Sequence, residues 1–155
     1  MSVFKGKERW AMVAALLLSV LIMGGCATSI KYSFDTKTRF AEQKNYAWAT
    51  SSSLNQVEHL LETNVQGLAE PLLAQKGFKK VSEMADLVIT MSYEYDYGYQ
   101  NSYQLRMLNL NIYKAENKEL VWRGTALGTI NTDAASGDLK QAVQGILSNF
   151  PPKGQ

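Results

Sequence analysis

A single cysteine, a single histidine and three prolines stand among 155 residues, and each scarcity closes off a class of function. With Cys26 alone there can be no intramolecular disulfide and no cysteine-rich metal site. With His59 the sole histidine and Cys26 the sole cysteine, the nitrogen and sulfur ligands of a zinc site are missing. No Gly-x-Ser-x-Gly elbow surrounds Ser51, Ser52 or Ser53, and no glycine-rich phosphate loop is present. Charge of one sign is lacking too. The chain has 16 Lys and Arg against 14 Asp and Glu, and its first 25 residues hold Lys5, Lys7, Arg9 and Glu8, which leaves thirteen of each sign in the remainder. Without a basic stripe, nucleic acid is excluded as a partner. No catalytic residue, metal or cofactor is expected, and the protein reads as a non-enzyme.

Long apolar runs are scarce as well. The only one, Trp10 to Met23, has fourteen residues and reaches roughly 21 Å as a helix, short of the ~30 Å hydrocarbon core of a bilayer. Behind a basic start it fits the apolar region of a signal peptide better than a spanning helix. Met23-Gly24-Gly25-Cys26 follows, and here the chain resembles a bacterial lipoprotein precursor, whose lipobox is an aliphatic residue, two small residues and a cysteine. Met23 stands where leucine is usual. The resemblance implies cleavage between Gly25 and Cys26, a diacylglycerol on the Cys26 thiol, and an acyl chain such as palmitate on the new amino group. Ala27 rather than Asp implies the outer membrane of the cell envelope, with the domain facing the periplasm. An unpaired thiol is a liability in an oxidising compartment, and acylation removes it. Several acyl chains hold a protein firmly where one does not. The expected parts are a leader (1–25), a lipidated tether (26–29), a domain (30–151) and a short tail (152–155).

Within the domain, Leu87 to Tyr99 alternates strictly: Leu87, Ile89, Met91, Tyr93, Tyr95, Tyr97 and Tyr99 on one side, Val88, Thr90, Ser92, Glu94, Asp96 and Gly98 on the other. Period two over this length predicts a long strand with one dry and one wet face. A second long strand is expected over 103–113, where the apolar set changes phase and predicts a bulge near Met107–Leu108. A third runs over 120–130, and shorter ones include Ile30–Phe34 and Tyr46–Trp48. Leu54, Val57, Leu61, Val65, Leu68 and Leu72 recur at helical spacing behind a capping box at Ser53 and Gln56. Pro71 predicts a kink and Gly77 a stop. Leu139, Ala142, Val143, Ile146, Leu147 and Phe150 predict a last helix. The expected fold is α+β, a two-layer sandwich of an antiparallel sheet with two amphipathic helices on one face.

Asn45-Tyr-Ala-Trp48, Leu73 to Phe78, Ala85-Asp-Leu-Val88, Leu120 to Ala126 with its Trp-Arg-Gly triplet, and Phe150-Pro151 occur in that order. With them the chain resembles the lipoproteins of the domain-of-unknown-function 4136 family. The resemblance implies an envelope location and an α+β fold, and it implies no activity. Candidate sites are therefore few. Tyr93, Tyr95, Tyr97 and Tyr99 form either a stacking face for a glycan or lipid, in a groove between sheet and helices, or a row packed beneath the helices with hydroxyls at the rim. Glu94 and Asp96 are either an acid–base pair or, more simply, partners for Arg106 or Arg123 across the strands. Trp122 is expected in the core and Arg123 on the outer face; pairing of Arg123 with a partner's carboxylate is the alternative to a purely structural place there. The functional expectation is an acyl-anchored structural or interaction module with an envelope protein as partner.

Overall fold

The computed structural model describes residues 28–49, 56–97, 103–133 and 136–153. The elements follow the periodicities. They are β1 (Ser29–Phe34), a short 3-10 turn (Phe40–Glu42), β2 (Asn45–Trp48), α1 (Gln56–Gln75), β3 (Lys79–Lys80), β4 (Leu87–Tyr97), β5 (Tyr103–Lys114), β6 (Leu120–Asn131) and α2 (Asp138–Ser148). The strands form one six-stranded sheet in the order β1-β6-β5-β4-β2-β3. The fold is α+β.

The expectation of a purely antiparallel sheet is corrected. β1, β6, β5 and β4 are antiparallel neighbours, but β2 runs parallel to both β4 and β3. The reason lies in the connection. Between β2 and β3 the chain makes a 20-residue helix, about 30 Å long, which returns it to the end from which β2 started. A strand following such a crossover runs parallel to the one before it. Asp86 locks this join, its Oδ2 accepting the backbone N–H groups of Lys44 and Asn45, each at 2.8 Å.

α1 continues through Pro71 as one element and stops where glycine permits. Gly77 has φ 86°, Gly77 N–H reaches Ala74 O at 3.0 Å and Phe78 N–H reaches back to Leu73 O at 3.0 Å. This is the Schellman arrangement, with Leu73 and Phe78 buried as its apolar contact. Ser53, the expected cap, lies outside the described residues. In α2 the expected stripe is buried at Leu139, Ala142, Val143, Ile146 and Leu147.

The bulge expected near Met107–Leu108 falls one residue earlier. Pairing with β4 shifts across Arg106, between Leu105 and Met107, so Leu105 and Leu108 both point into the core. β6 shifts at the same level, where Gly128 has φ 143°, a conformation that favours glycine.

Trp122 enters the core as its alternation requires, and its ring lies over Gly124. A Cβ at Gly124 would stand 2.6 Å from Ile146 Cγ2 and closer still to Trp122 Cη2. Phe150 closes the cluster, 5.2 Å from the Trp122 ring, 5.7 Å from Phe40 and 5.0 Å from Phe78, centre to centre. The space above Gly124 is already filled. Gly124→Ala should therefore cost about 1–3 kcal/mol by overpacking, read as a fall of several degrees in thermal midpoint. An unchanged midpoint would mean that the Trp122 ring moves aside freely.

Candidate functional site

The two sides of β4 have different chemistry. On the odd-numbered side, Leu87 and Ile89 are buried and Met91, Tyr93 and Tyr95 pack partly buried against the core. The Tyr93 and Tyr95 rings meet edge-on at 5.5 Å. Tyr93 is hydrogen-bonded to Glu62 of α1. Burial raises the Tyr93 phenol well above its ordinary range, and the neighbouring Glu62 and Glu58 charges add to the shift. Burial likewise raises the Glu62 carboxyl, reinforced by Glu58 and opposed by His59 and the Tyr93 hydrogen bond. Tyr97 pairs with Tyr103 through the backbone; the Tyr97 side chain and the whole of Tyr99 lie outside the described residues. Gly25 and Cys26 lie outside them too. Of the four candidate tyrosines, two are thus brought together, at the contact between sheet and α1.

The other side of the sheet is polar. Asn109 and Asn111, on the central strand β5, are 7% and 4% exposed, although Ser33, Ser92, Glu94 and Arg123 around them are exposed. Their amides are tied across three strands. Asn109 donates to Ser92 Oγ at 3.0 Å and accepts from Thr125 Oγ1 at 2.6 Å. Asn111 donates weakly toward Thr90 and Ser92, both at 3.4 Å, and accepts from Arg123 Nε at 2.6 Å. Arg123 is held by one nitrogen, and no carboxylate among the described residues pairs with it. Asp96 instead takes Arg106, through Nε at 2.9 Å and through Nη2. A fixed guanidinium with its remaining donors in water suits a carboxylate or phosphate arriving from outside.

Sequence reasoning placed Arg123 on this side but missed Asn109 and Asn111. The signal was there. Leu108-Asn-Leu-Asn-Ile112 puts asparagine, a residue depleted in strands, at two successive outward positions of a strand. His59 is exposed and bonded locally to Thr63, and among the described residues no group of three or more His, Cys, Asp or Glu could hold a metal. A groove of about 330 Å³ lies between the helices, lined by Thr63, Asn64, Gly67, Leu68, Leu139 and Lys140 among others. It opens between α1 and α2, whereas the sequence suggested a groove between helices and sheet. No helix among the described residues is long and apolar enough to cross a membrane.

The family model described as domain of unknown function (DUF4136) matches residues 30–152. The chain belongs to the DUF4136 family. Its DUF4136 domain has the fold of several solved structures. A PDZ domain protein from Parabacteroides distasonis superposes with TM-score 0.60 at 15% identity over 88% of this chain. The chain spans only 39% of that protein's length. A DUF4136 family protein from Bacteroides thetaiotaomicron gives 0.56 at 14% identity, covering 79% of this chain and 94% of its own. The PelC dodecamer from Paraburkholderia phytofirmans gives 0.54 at 12% identity, covering 79% and 96%. No curated protein matches the chain.

Glu62 yields a pH dependence. Its carboxyl is raised in the folded domain, so between the unfolded and folded values the native state binds more protons than the unfolded chain. Stability then falls as pH rises through the carboxylate range. Glu62→Gln keeps an acceptor for Tyr93 and removes that loss. The variant should melt higher than the parent at neutral pH, with the difference vanishing in acid; equal midpoints at both pH values would contradict the desolvated carboxyl.

Proposed function

We propose that the protein is an acyl-anchored lipoprotein of the bacterial cell envelope, carried at the outer membrane and facing the periplasm. Its DUF4136 domain is a structural or interaction module without a catalytic centre. In this reading the domain is a two-layer α+β sandwich: both amphipathic helices cover the side of the sheet that carries Trp122, and the Asn109–Asn111 side is left for an envelope protein. The observation that carries the docking role is Arg123. It is exposed, oriented through Asn111, and without a carboxylate among the described residues. The anchor rests on the Met23-Gly24-Gly25-Cys26 box behind an apolar run. The absence of a catalytic role rests on the lack of a serine elbow in the sequence.

A second reading, a lipid- or glycan-binding module, is favoured by the groove between α1 and α2, where Leu68, Leu139 and the bare backbone of Gly67 offer apolar lining. It predicts a rise in melting temperature with ligand. A screen of envelope lipids and glycans without any shift removes it. PelC, of the same fold, is a dodecamer, so a second copy of this chain is one form the protein partner takes.

Intact mass of the protein purified from membranes tests the anchor: the expected species starts at Cys26 and carries acyl chains, and a bare thiol or an uncut leader overturns it. Docking is tested by crosslinking in whole envelopes. Arg123→Gln keeps a donor for Asn111 but loses the charge, and should cut the crosslinked yield severalfold without moving the melting temperature. Equal yields, or no partner for either protein, would sink the Arg123 surface.

A further inference from the structure

The register of the sheet fixes how far the domain can stand from residue 26. Ser29 pairs with Leu127, Leu127 with Met107 and Met107 with Glu94, so these four lie on one line across the strands. Beyond that line, on the side from which β1 enters, the sheet continues. β6 runs on through Gly128–Asn131, β5 begins there with Tyr103–Arg106, and β4 ends there with Tyr95–Tyr97.

Thr28 already lies against this overhang, since a Cβ on Gly128 would stand 3.5 Å from Thr28 Cα. From Thr28 back to Cys26 there are only two Cα–Cα steps, at most about 7 Å. From Gly128 the strand β6 runs three residues further, to Asn131, roughly 10 Å at the usual rise. The covalent link to the cysteine is therefore shorter than the sheet's own projection past it.

An acyl group on Cys26 puts that residue at the lipid headgroups. We infer that the overhanging end of the sheet is a foot on which the domain stands against a phospholipid surface, an inference that rests on the acyl-anchor reading above. The side chains at this end suit the partner. Arg106 is exposed there, tied to Asp96 and, at 3.4 Å, to Thr129, and its guanidinium has donors for lipid phosphate. α1 also starts on this side, because Glu62 bonds to Tyr93 while Phe78, just past the helix's last turn, touches Phe150 in the Trp122 cluster. Its opening turns carry Val57 and Leu60, 44% and 62% exposed. A guanidinium on a long apolar stem and short apolar side chains are groups that favour the boundary between headgroups and acyl chains. The opposite end carries the turn Glu116-Asn-Lys118, exposed and charged.

Because the native thiol would be acylated, introduced cysteines would be the only ones open to labelling. Thr129→Cys at the foot, Ser33→Cys near the last residue of the edge strand and Glu116→Cys in the turn at the far end are all exposed positions. Each full chain, processed in cells and confirmed acylated by intact mass, is labelled with an environment-sensitive dye. It is then reconstituted in phosphatidylethanolamine–phosphatidylglycerol vesicles containing a headgroup-nitroxide lipid. The expected result is quenching that is severalfold stronger for the label at residue 129 than at residue 33, and least at residue 116. Equal quenching at 129 and 33 means that the domain lies on its β1 edge and overturns the foot, as does an acylated, vesicle-bound protein with no quenching at 129. A protein that carries no acyl mass fails the anchor reading itself and is recognised before any dye is added.

Discussion

Everything in the core is referred to one contact, the Trp122 ring laid over Gly124 and capped by Phe150. Trp122 comes from β6, Phe150 follows α2, Phe78 follows α1 and Phe40 comes from the turn after β1. Four segments far apart in sequence thus meet at one set of rings. Edge-on and tilted aromatic pairs of this kind add about 0.5–1.5 kcal/mol each beyond their buried area. The arrangement exists only because residue 124 has no side chain. The pieces through which the sequence resembles its family, the Trp-Arg-Gly triplet, the Gly77-Phe78 stop and Phe150-Pro151, converge on this cluster in space.

The same triplet divides the labour of the sheet. Trp122 and Gly124 face the core while Arg123, between them, faces out and is oriented by Asn111. On the core side, burial works against charge, as the raised Tyr93 phenol and Glu62 carboxyl record. On the other side, two nearly buried asparagines are satisfied by neighbouring strands, which is what permits polar groups there at little cost. A network of small side chains crossing three strands also keeps the guanidinium in one place, so an incoming anion would meet a donor already positioned.

Much of this was legible from residue spacing. The long strands and both helices repeat their period over ten residues or more, and Gly77 and Gly128 stand where the backbone needs a positive φ. The orientation of β2 was not legible. A four-residue and a two-residue strand carry no pattern of their own, and their direction follows from the span of α1 between them. The tyrosine row shows the limit of alternation in another way. Period two says that Tyr93 and Tyr95 share a side but not what lies over it, and Glu62, thirty-one positions upstream of Tyr93, decides that. Asn109 and Asn111 were not legible as a polar network, because Leu108, Leu110 and Ile112 beside them carry the stronger signal, that of a core strand. Cys26 stands on its sequence context alone.

One small element has a bearing on how copies of the protein can meet. The sheet ends on one side at β3, two exposed lysines long, which offers an incoming strand almost no backbone to pair with and two charges to repel it. The other rim, β1, is six residues long. Growth of the sheet by adding strands from further molecules is therefore closed at one border and open at the other. Two chains joined through β1 would present only lysine-guarded borders, so such joining ends at a pair and cannot extend into a fibre.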